Sequence, residues 1–518
     1  MLKAVISIKK AENATMPVKK NGLLITLSIK AVMPRNILVK FALAIFKLMR
    51  KKRRRKKIIP NITINGMATE GKGTGQHEGK MIFVENAVPG DVVDVWSQKN
   101  KTDYAIGVVE QIVKPSPLRI EPKCQHFTDC GGCKWQYLDY ADQLKYKQQI
   151  VTDTFKRIGK INVQPHMQPI IGSEKEWYYR NKMEYTFSSN RWVSKALIES
   201  GAEINNWNAL GLHVPKFFQK IVDIEHCYLQ ENTGNQIRNA VRVFAFEHEL
   251  TFYNLIKHEG FLRTLMLRST KVGDWMVVLA VAEEKPEILT QLLNHLQNLF
   301  PQIKSLNWVL NQKKNDTLYG LTVNCFAGEP FITETLGDLR FKISPQSFFQ
   351  TNPWQAQRLY DVVKQRANLQ GTELVYDLYT GTGSIAQYVA SDCSSVVGIE
   401  EVEAAIIDAK ANAKINNINN CTFLVGDVKN HLNTDFTAEH GQPDLLVVDP
   451  PRAGLHKDVV SNILEIAPER VIYVSCNPAT QARDVQLLTE KYDLVFCQPV
   501  DMFPHTYHIE NVVEMQLK

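Results

Sequence analysis

The clearest candidate for covalent chemistry is Cys476, in the run SCNP at residues 475–478. The apolar segment 471–476 predicts a strand, and Pro478 is typical of a helix start. A cysteine is most often a small, inert core residue. At a strand end beside a helix N-terminus, however, a thiolate is stabilised and becomes a nucleophile. Cys476 is therefore predicted to be a nucleophile.

A second group of reactive side chains lies in residues 504–510 (PHTYHIE), just before a predicted strand. It contains two imidazoles, those of His505 and His508, and the carboxylate of Glu510. Glu510 is the candidate general base, because proton removal in catalysis needs such a group close to the reacting atoms. The alternative is a polar loop that only closes the sheet.

A glycine-rich turn at 377–386 (DLYTGTGSIA) follows one predicted strand and opens a predicted helix. Gly381 and Gly383 let the backbone approach a ligand where a side chain would clash. The next strand ends in Glu400, where the carboxylate could accept a hydrogen bond from a ribose hydroxyl. This pattern also fits NAD, but the acidic Asp377 before the glycines favours S-adenosylmethionine. A strand–turn–helix without a ligand is the alternative.

Asp449 ends another predicted strand, in the run DPPR at residues 449–452. The carboxyl ends of parallel strands border the ligand crevice of an open sheet. Two consecutive prolines stiffen the turn that holds the Asp449 carboxylate. Amino-group methyltransferases have an aromatic residue after these prolines, so Arg452 argues against their chemistry. A generic turn remains the alternative.

Three cysteines cluster as C-x5-C-x2-C at Cys124, Cys130 and Cys133. Closely spaced thiolates suit zinc or an iron–sulfur cluster, and both usually take a fourth ligand. Cys227 is the best candidate for it, and His126 is the zinc-like rival; a cysteine cluster without metal is the third alternative. Nine cysteines, an odd number, do not resemble a secreted disulfide framework, so a reducing compartment, the cytoplasm, is expected.

The elements that would position these residues divide the chain into four parts. Residues 1–57 form a basic extension that is expected to be disordered, and 58–116 contain short strands typical of a small β-barrel. Residues 117–340 are mixed α+β, with a helix near 140–158. Strands and helices alternate over 341–518, which predicts an α/β fold with a parallel sheet. Seven strands are predicted there, at 373–378, 395–400, 422–427, 445–450, 471–476, 494–499 and 512–517.

Charge is concentrated at one end of the 518-residue chain, which has a formal net charge of +7. Residues 1–57 hold 17 Lys/Arg and one acid, so the body carries 44 basic and 53 acidic residues. A mildly acidic body does not by itself argue for nucleic acid. The basic run at 50–57 fits either an RNA-contacting arm or a solvated tail. The apolar stretch 36–49 is too short to span a bilayer and lacks a signal-peptide cleavage site.

Taken together, these motifs resemble the RNA uracil-5-methyltransferase family, and most closely its iron–sulfur-containing 23S ribosomal RNA branch. The resemblance covers about residues 58–518. It implies a TRAM-like RNA-binding barrel at 58–116, a central domain with iron–sulfur cysteines at 117–340 and a Rossmann-like methyltransferase domain at 341–518. Thr380 departs from the family pattern, in which many members have cysteine. The motifs are GDVVDVW, RIEPKCQHFTDCGGCKWQ, YRNKMEY, ISPQSFFQTN, DLYTGTG, DPPRAGLH, VSCNPATQARD and FPHTYHIE.

Carried over by position, the resemblance implies a role for individual residues. Cys476 matches the nucleophile and Glu510 the base that methylate carbon 5 of uracil through a covalent adduct. Arg452 and Phe349 are expected to line the pocket for a flipped base. RNA is the expected partner, with 23S rRNA favoured over tRNA, and the protein is expected to be a monomer without a membrane. S-adenosylmethionine would be bound by Gln350, Tyr379, Glu400 and Asp449, and a 4Fe–4S cluster by Cys124, Cys130, Cys133 and Cys227.

Three functions of other kinds remain open from sequence alone. An RNA cytosine-5-methyltransferase also uses a thiolate, but it gives no reason for the cysteine cluster. An NAD-dependent oxidoreductase accounts for the glycine turn only. A non-catalytic RNA-binding protein accounts for the barrel and the basic run, but not for reactive residues gathered at one sheet edge.

Overall fold

The structure, a computed structural model, describes residues 14–20, 23–29 and 57–518. The chain divides into two compact units, Met1–Lys57 and Ile58–Lys518. In the first, β1 (Ala14–Lys20) and β2 (Leu23–Ile29) pair as an antiparallel hairpin, which the composition does not predict. The predicted disorder of residues 1–57 does not hold for these two strands. The basic run at 50–56 and the apolar stretch before it lie outside the described residues.

A six-stranded sheet follows, in the order β3-β7-β8-β6-β5-β4. Only Ile64 and Asn65 separate β3 from β4, although these strands stand at opposite ends of the sheet order. The Ile64 backbone bonds to Asp91 and Gly90, and that of Asn65 bonds to Thr74. This connection fits the predicted barrel, whose closure stays a prediction. The strands are β3 (Lys57–Thr63), β4 (Gly66–Ala68), β5 (Lys72–His77), β6 (Lys80–Glu85), β7 (Val92–Asn100) and β8 (Tyr104–Lys114).

The middle of the chain begins with α1 (Tyr140–Thr154), which confirms the predicted helix and continues as a π-helical turn to Gly159. A seven-stranded sheet comes next, in the order β11-β10-β9-β12-β13-β14-β15. Its strands are β9 (Lys182–Ser188), β10 (Ala209–Val214), β11 (Phe217–Asp223), β12 (Leu262–Ser269), β13 (Trp275–Val281), β14 (Ile303–Leu310) and β15 (Asn324–Gly328). Its helices are α2 (Lys195–Glu199), α3 (Asn232–Glu247) and α4 (Pro286–Leu299).

The last part of the chain holds a seven-stranded, mostly parallel sheet in the order β20-β19-β18-β21-β22-β24-β23. A hairpin of β16 (Ile332–Leu336) and β17 (Leu339–Ile343) precedes it. The strands are β18 (Leu374–Leu378), β19 (Ser395–Glu400), β20 (Cys421–Val425), β21 (Leu445–Val448), β22 (Arg470–Ser475), β23 (Tyr492–Val500) and β24 (Glu510–Leu517). The helices are α5 (Pro353–Ala367), α6 (Ser384–Val389), α7 (Glu403–Ile415), α8 (Val428–His431), α9 (Thr434–His440), α10 (Lys457–Ile466) and α11 (Pro478–Leu488).

The topology of this sheet fixes where a ligand can bind. From β18 the chain builds outward through β19 and β20, then returns to place β21 on the other side of β18. The order therefore reverses between β18 and β21, and open α/β sheets bind ligands at such a point, beyond the carboxyl ends of the strands. All seven predicted strands are present, and the predicted α/β fold is confirmed.

The helix α1 packs against the mostly parallel sheet of β18–β24. It does not pack against the sheet of β9–β15, which follows it directly in the chain. Ile150 and Val151 of α1 share a buried cluster with Tyr473 of β22 and Ala482 of α11. No helix in the described part of the chain is long and apolar enough to cross a membrane.

Candidate active site

The glycine turn between β18 and α6 has a backbone that few residue types adopt. Tyr379, Gly381 and Gly383 all have positive φ, at 62°, 56° and 72°. A Cβ at Gly383 would stand 2.7 Å from Phe423, whereas a Cβ at Gly381 would meet nothing within 4 Å. Positive φ at a non-glycine residue such as Tyr379 is uncommon and clusters at functional sites. The turn therefore leaves open space beside its backbone.

Two carboxylates hold this turn. Asp377 accepts hydrogen bonds at Oδ2 from Thr380 Oγ1 (2.5 Å) and from the backbone N–H of Ala386 (3.1 Å). Its Oδ1 is buried without a hydrogen-bond partner among the described residues. Burial raises the pKa of Asp377 to about 7. Glu400 accepts from the N–H of Gly381 at 3.1 Å, so the end of β19 is fastened to the turn after β18.

Asp449 follows β21 on the other side of the crevice. Burial raises its pKa to about 7, and the nearby Asp377 adds to this rise. The loop after it is fastened by α11, because Asn477 Nδ2 and Thr480 Oγ1 both donate to the Arg452 carbonyl, at 3.0 and 3.3 Å. These contacts fix the backbone of Arg452.

Cys476 directly follows β22, and Glu510 begins β24. Ser475 pairs with Asn511 across these antiparallel strands, so the residues one step further, Cys476 and Glu510, stand opposite each other at the same end. Buried amide contacts brace the pair from behind: Gln481 Nε2 donates to the carbonyl of Asn511, and Asn511 Nδ2 donates to Gln481 Oε1 at 2.7 Å. The predicted nucleophile and base are thus brought together by strand register.

The electrostatics of the pair are strongly perturbed. Burial raises the pKa of the Cys476 thiol to about 11; the carboxylates of Glu510 and Asp449 raise it further, and the charge and hydrogen bond of Arg452 lower it. Burial also raises the pKa of Glu510 well above its usual range, Asp449 adds to this, and Arg452 opposes it. Perturbed groups gathered in a crevice are typical of catalytic sites.

Other predicted site residues have mixed outcomes. The side chain of Gln350 hydrogen-bonds to Tyr360. The Tyr360 hydroxyl lies 3.0 Å from Ser384 Oγ at the start of α6, so Gln350 reaches the glycine turn. Phe349 is wrong as a pocket residue, since it is 5% exposed and packs in the core. Its neighbour Phe348 is 67% exposed instead.

The four predicted metal cysteines line one cavity of about 40 Å³, away from the sheet edge. All four are free thiols, and burial raises the pKa of Cys130 to about 12, with Cys227 and Cys124 adding to the rise. His126 also lines the cavity, but its Nε2 accepts from the Glu225 backbone N–H at 3.2 Å. In the described part of the chain, no three or more His, Cys, Asp or Glu side chains are arranged to hold a metal ion.

Sequence reasoning missed a buried network beneath residues 501–510. Lys147 of α1 and Asp501 are fully buried and paired, with Nζ 2.6 Å from Oδ1. His505 stacks on Trp177, with ring centroids 3.7 Å apart, and its Nδ1 lies 3.0 Å from Gln143 Nε2. Burial lowers the pKa of His505 to about 3. His505 is therefore a neutral structural residue. Lys147 and Asp501 are 354 positions apart in the chain, so no local pattern reveals that they pair.

Comparison with known proteins agrees with this geometry. The family model described as tRNA (uracil-5-)-methyltransferase matches residues 329–518. An RNA methyltransferase of Bacteroides thetaiotaomicron is 48% identical over 455 residues, covering 87% of this chain and 100% of the relative. One of Porphyromonas gingivalis is 45% identical over 460 residues, with coverages of 87% and 98%. The solved structure of Pyrococcus abyssi tRNA (uracil-54, C5)-methyltransferase in complex with S-adenosyl-L-homocysteine is similar with a TM-score of 0.66, 30% identity, and coverages of 88% and 99%.

Proposed function

Because the chain belongs to the RNA uracil-5-methyltransferase family, we propose that it methylates carbon 5 of a uridine in RNA through a covalent bond to Cys476. S-adenosylmethionine is the methyl donor of this family. The observation that carries the proposal is the placement of Cys476 opposite Glu510 at the crevice edge, with Asp449 and Arg452 beside them. A thiolate facing a buried carboxylate suits nucleophilic addition followed by proton removal.

The glycine turn fits S-adenosylmethionine. Open space at Gly381 lets a ligand approach the backbone, and the unpartnered Oδ1 of Asp377 is a buried acceptor for a donor on that ligand. When bound, the cofactor supplies an electrophilic methyl group. We assign its binding to Gln350, Tyr379, Glu400 and Asp449, which border the turn and the switch point of the sheet.

The side chains of this chain then divide the reaction. Arg452 stabilises the Cys476 thiolate, whose sulfur forms a bond to carbon 6 of uracil. The electrons of the ring double bond move toward the carbonyl oxygen at carbon 4, which makes carbon 5 nucleophilic. Carbon 5 takes the methyl group, whose bond to the donor sulfur breaks and leaves a neutral thioether. Glu510 removes the proton from carbon 5. The electrons of that carbon–hydrogen bond restore the double bond between carbons 5 and 6, and the bond between carbon 6 and sulfur breaks, which releases 5-methyluridine and the Cys476 thiolate.

The burial of Glu510 serves the proton-removal step. A carboxylate with a raised pKa is a stronger base once it is ionised, and a base with a pKa close to the working pH transfers protons most effectively. Arg452 opposes the rise and so favours the ionised form.

We propose 23S rRNA as the substrate, on the basis of the cysteine motif. A tRNA is the second candidate, because the similar archaeal structure is a tRNA (uracil-54, C5)-methyltransferase. Residues 58–116 are proposed to bind RNA. Their sheet carries a cleft of about 400 Å³ lined by Phe83, Tyr104 and Lys72, and Lys99 Nζ lies 5.5 Å from the Tyr104 ring. Aromatic rings beside cations suit single-stranded nucleic acid.

We also propose that the cavity lined by Cys124, Cys130, Cys133 and Cys227 holds a 4Fe–4S cluster. Support comes from four free thiols that line one cavity. Four thiolates are the usual ligand set of such a cluster. Methyl transfer needs no chemistry from it, since the cavity is separate from the Cys476 crevice.

The test uses purified full-length protein, labelled S-adenosylmethionine and unmodified transcripts of 23S rRNA and tRNA. Label is expected in 5-methyluridine after digestion to nucleosides, and the Cys476→Ala variant is expected to give none. Label on tRNA alone would replace the 23S assignment with the second candidate. Label in cytidine, or full activity of Cys476→Ala, would contradict the proposed chemistry.

A further inference from the structure

The hairpin of β10 and β11 carries large aromatic side chains into solvent. Phe217 and Phe218 begin β11 and are 51% and 69% exposed, and Trp207, which precedes β10, is 49% exposed. Single exposed apolar residues are ordinary, whereas several large ones on one hairpin indicate an interaction site. These three residues, with Trp192 beside them, are called the aromatic surface below.

Trp192 and Phe217 of the aromatic surface are held from behind. The Trp192 ring lies 5.9 Å from that of Phe217 at a tilt of 30°, and Trp192 packs against a small buried cluster that includes Val214 and Ile224. The backbone N–H of Trp192 donates to the Ile221 carbonyl at 2.7 Å. Rigid aromatic side chains lose little conformational entropy when a ligand covers them.

The turn at the tip of the hairpin adds a cation at a strained position. Lys216 has φ of 70°, a conformation that favours glycine, so its side chain costs backbone energy. Its Nζ lies 2.8 Å from Glu85 and 3.2 Å from Gln98, both in the six-stranded sheet. The hairpin tip is thereby joined to the sheet that carries the Phe83–Tyr104 cleft.

A second lysine belongs to the surface itself. Lys220 Nζ lies 5.8 Å from the Trp207 ring and is held by a 2.5 Å hydrogen bond to Asn190 Oδ1. An ammonium beside exposed rings can neutralise a phosphate while bases stack on the rings. An apolar protein partner would give no reason for a cation fixed beside the Trp207 ring.

We propose that the aromatic surface is a stacking platform for a single-stranded segment of the substrate RNA, apart from the uridine that reacts. The inference rests on the proposed function, because it takes RNA as the substrate. It adds a second contact region, which runs from the hairpin across Lys216 to the six-stranded sheet. Bases of any identity stack there, so the platform adds affinity without reading sequence.

The test measures binding of a fluorescein-labelled 20-nucleotide oligouridine to the full chain and to the Phe217→Ser/Phe218→Ser variant. Loss of stacking is expected to raise Kd roughly 5- to 150-fold per base without changing the salt dependence. Lys220→Met should instead flatten the slope of log K against log salt by about 0.7. Tyr319→Ser is the matched control, because Tyr319 is 81% exposed and lies outside the aromatic surface.

Folding is checked in each variant by binding of S-adenosylmethionine, which should be unchanged. Wild-type affinity of the double variant for the oligouridine would overturn the platform. The platform would also be overturned if the wild-type protein formed a dimer that the double variant dissociates while RNA binding is unaffected. Either result leaves uridine methylation by the wild-type protein standing, because methylation is measured separately. Conversely, RNA binding that depends on the aromatic surface in a protein that methylates no RNA would contradict the proposed function alone.

Discussion

Nη2 of Arg452 lies 3.3 Å from Nδ1 of His508, and the same guanidinium hydrogen-bonds to the Cys476 thiol. Burial lowers the pKa of His508 to about 4, and the charge of Arg452 adds to this. His508 is therefore neutral at physiological pH, and its Nδ1 faces a cation. Between His508 and Glu510, this arrangement favours Glu510 for proton removal.

The first prediction concerns the thiol of Cys476. Because its pKa is raised to about 11, alkylation by iodoacetamide in the free protein should rise with pH toward that value. Arg452→Met removes the cation that lowers the pKa, so its profile should move to higher pH. Glu510→Gln removes a carboxylate that raises it, so its profile should move to lower pH. Mass spectrometry of the Cys476 peptide measures both, and shifts of the opposite sign would contradict the assignment.

The second prediction separates the steps of Cys476 and Glu510. Glu510→Gln keeps the size of the side chain but removes its basicity, so addition and methyl transfer should occur while release stalls. A denaturation-resistant protein–RNA adduct carrying the methyl group should accumulate, and turnover should fall about 100- to 10,000-fold. Cys476→Ala should form no adduct. Near-normal turnover of Glu510→Gln without a trapped adduct would point to His508 as the next base to test.

The third prediction tests the open space at the glycine turn. Gly381→Ala places a methyl group where the cofactor is proposed to lie, so calorimetry should show S-adenosylmethionine binding at least about tenfold weaker. Gly371→Ala is the control, because Gly371 also has positive φ, 97°, and a Cβ there would meet nothing within 4 Å. If both variants bound S-adenosylmethionine equally weakly, the loss of affinity would come from backbone strain alone.

The fourth prediction concerns the cysteine cavity. Protein purified without oxygen should be brown and hold about four irons per chain. Cys227→Ser should lose iron, whereas Cys325→Ser, at an exposed cysteine outside the cavity, should not. Because Cys130 and Cys227 pack against Val214 under the hairpin of β10 and β11, the Cys227 variant should also be less soluble. Stoichiometric zinc without iron would replace the cluster with a zinc site.

The fifth prediction concerns the buried pair of Lys147 and Asp501. Asp501→Asn leaves Lys147 charged and without its partner in the core, which should cost about 3–5 kcal/mol in the free energy of unfolding. Lys147→Met/Asp501→Asn removes both charges and should recover much of that loss. Urea unfolding measures the difference between the two variants. Equal destabilisation of both would mean that packing, rather than the stranded charge, sets the cost.

The sequence predicts the parallel sheet well because strands buried on both faces are continuous apolar runs. Each predicted strand of this sheet overlaps an observed one, and the largest shift at any end is two residues, as at β23 and β24. Polar residues that end such strands, including Asp449 and Cys476, are placed at one sheet edge by the same reasoning. This part of the candidate site follows from local pattern alone.

Other features depend on contacts between distant parts of the chain. Residues 344–352 form neither helix nor strand, so no periodicity tells which of Phe348 and Phe349 faces solvent. The pairing of Lys147 with Asp501 depends on α1 packing against a sheet built from residues more than 200 positions later. The sequence predicts Arg452 as a pocket residue, but its hydrogen bond to Cys476 depends on the loop that Asn477 and Thr480 hold.

The position of β24 also bears on how the enzyme is made. β24 follows β22 and β23 in the chain yet lies between them in the sheet. During synthesis on the ribosome, which delivers strands in chain order, β22 and β23 therefore emerge before the strand that joins them. Until β24 inserts, β22 has an unpaired edge, and Cys476 has no carboxylate opposite it. A nascent chain thus carries the proposed nucleophile without the proposed base, and we expect catalytic competence to arrive only with the strand that Glu510 begins.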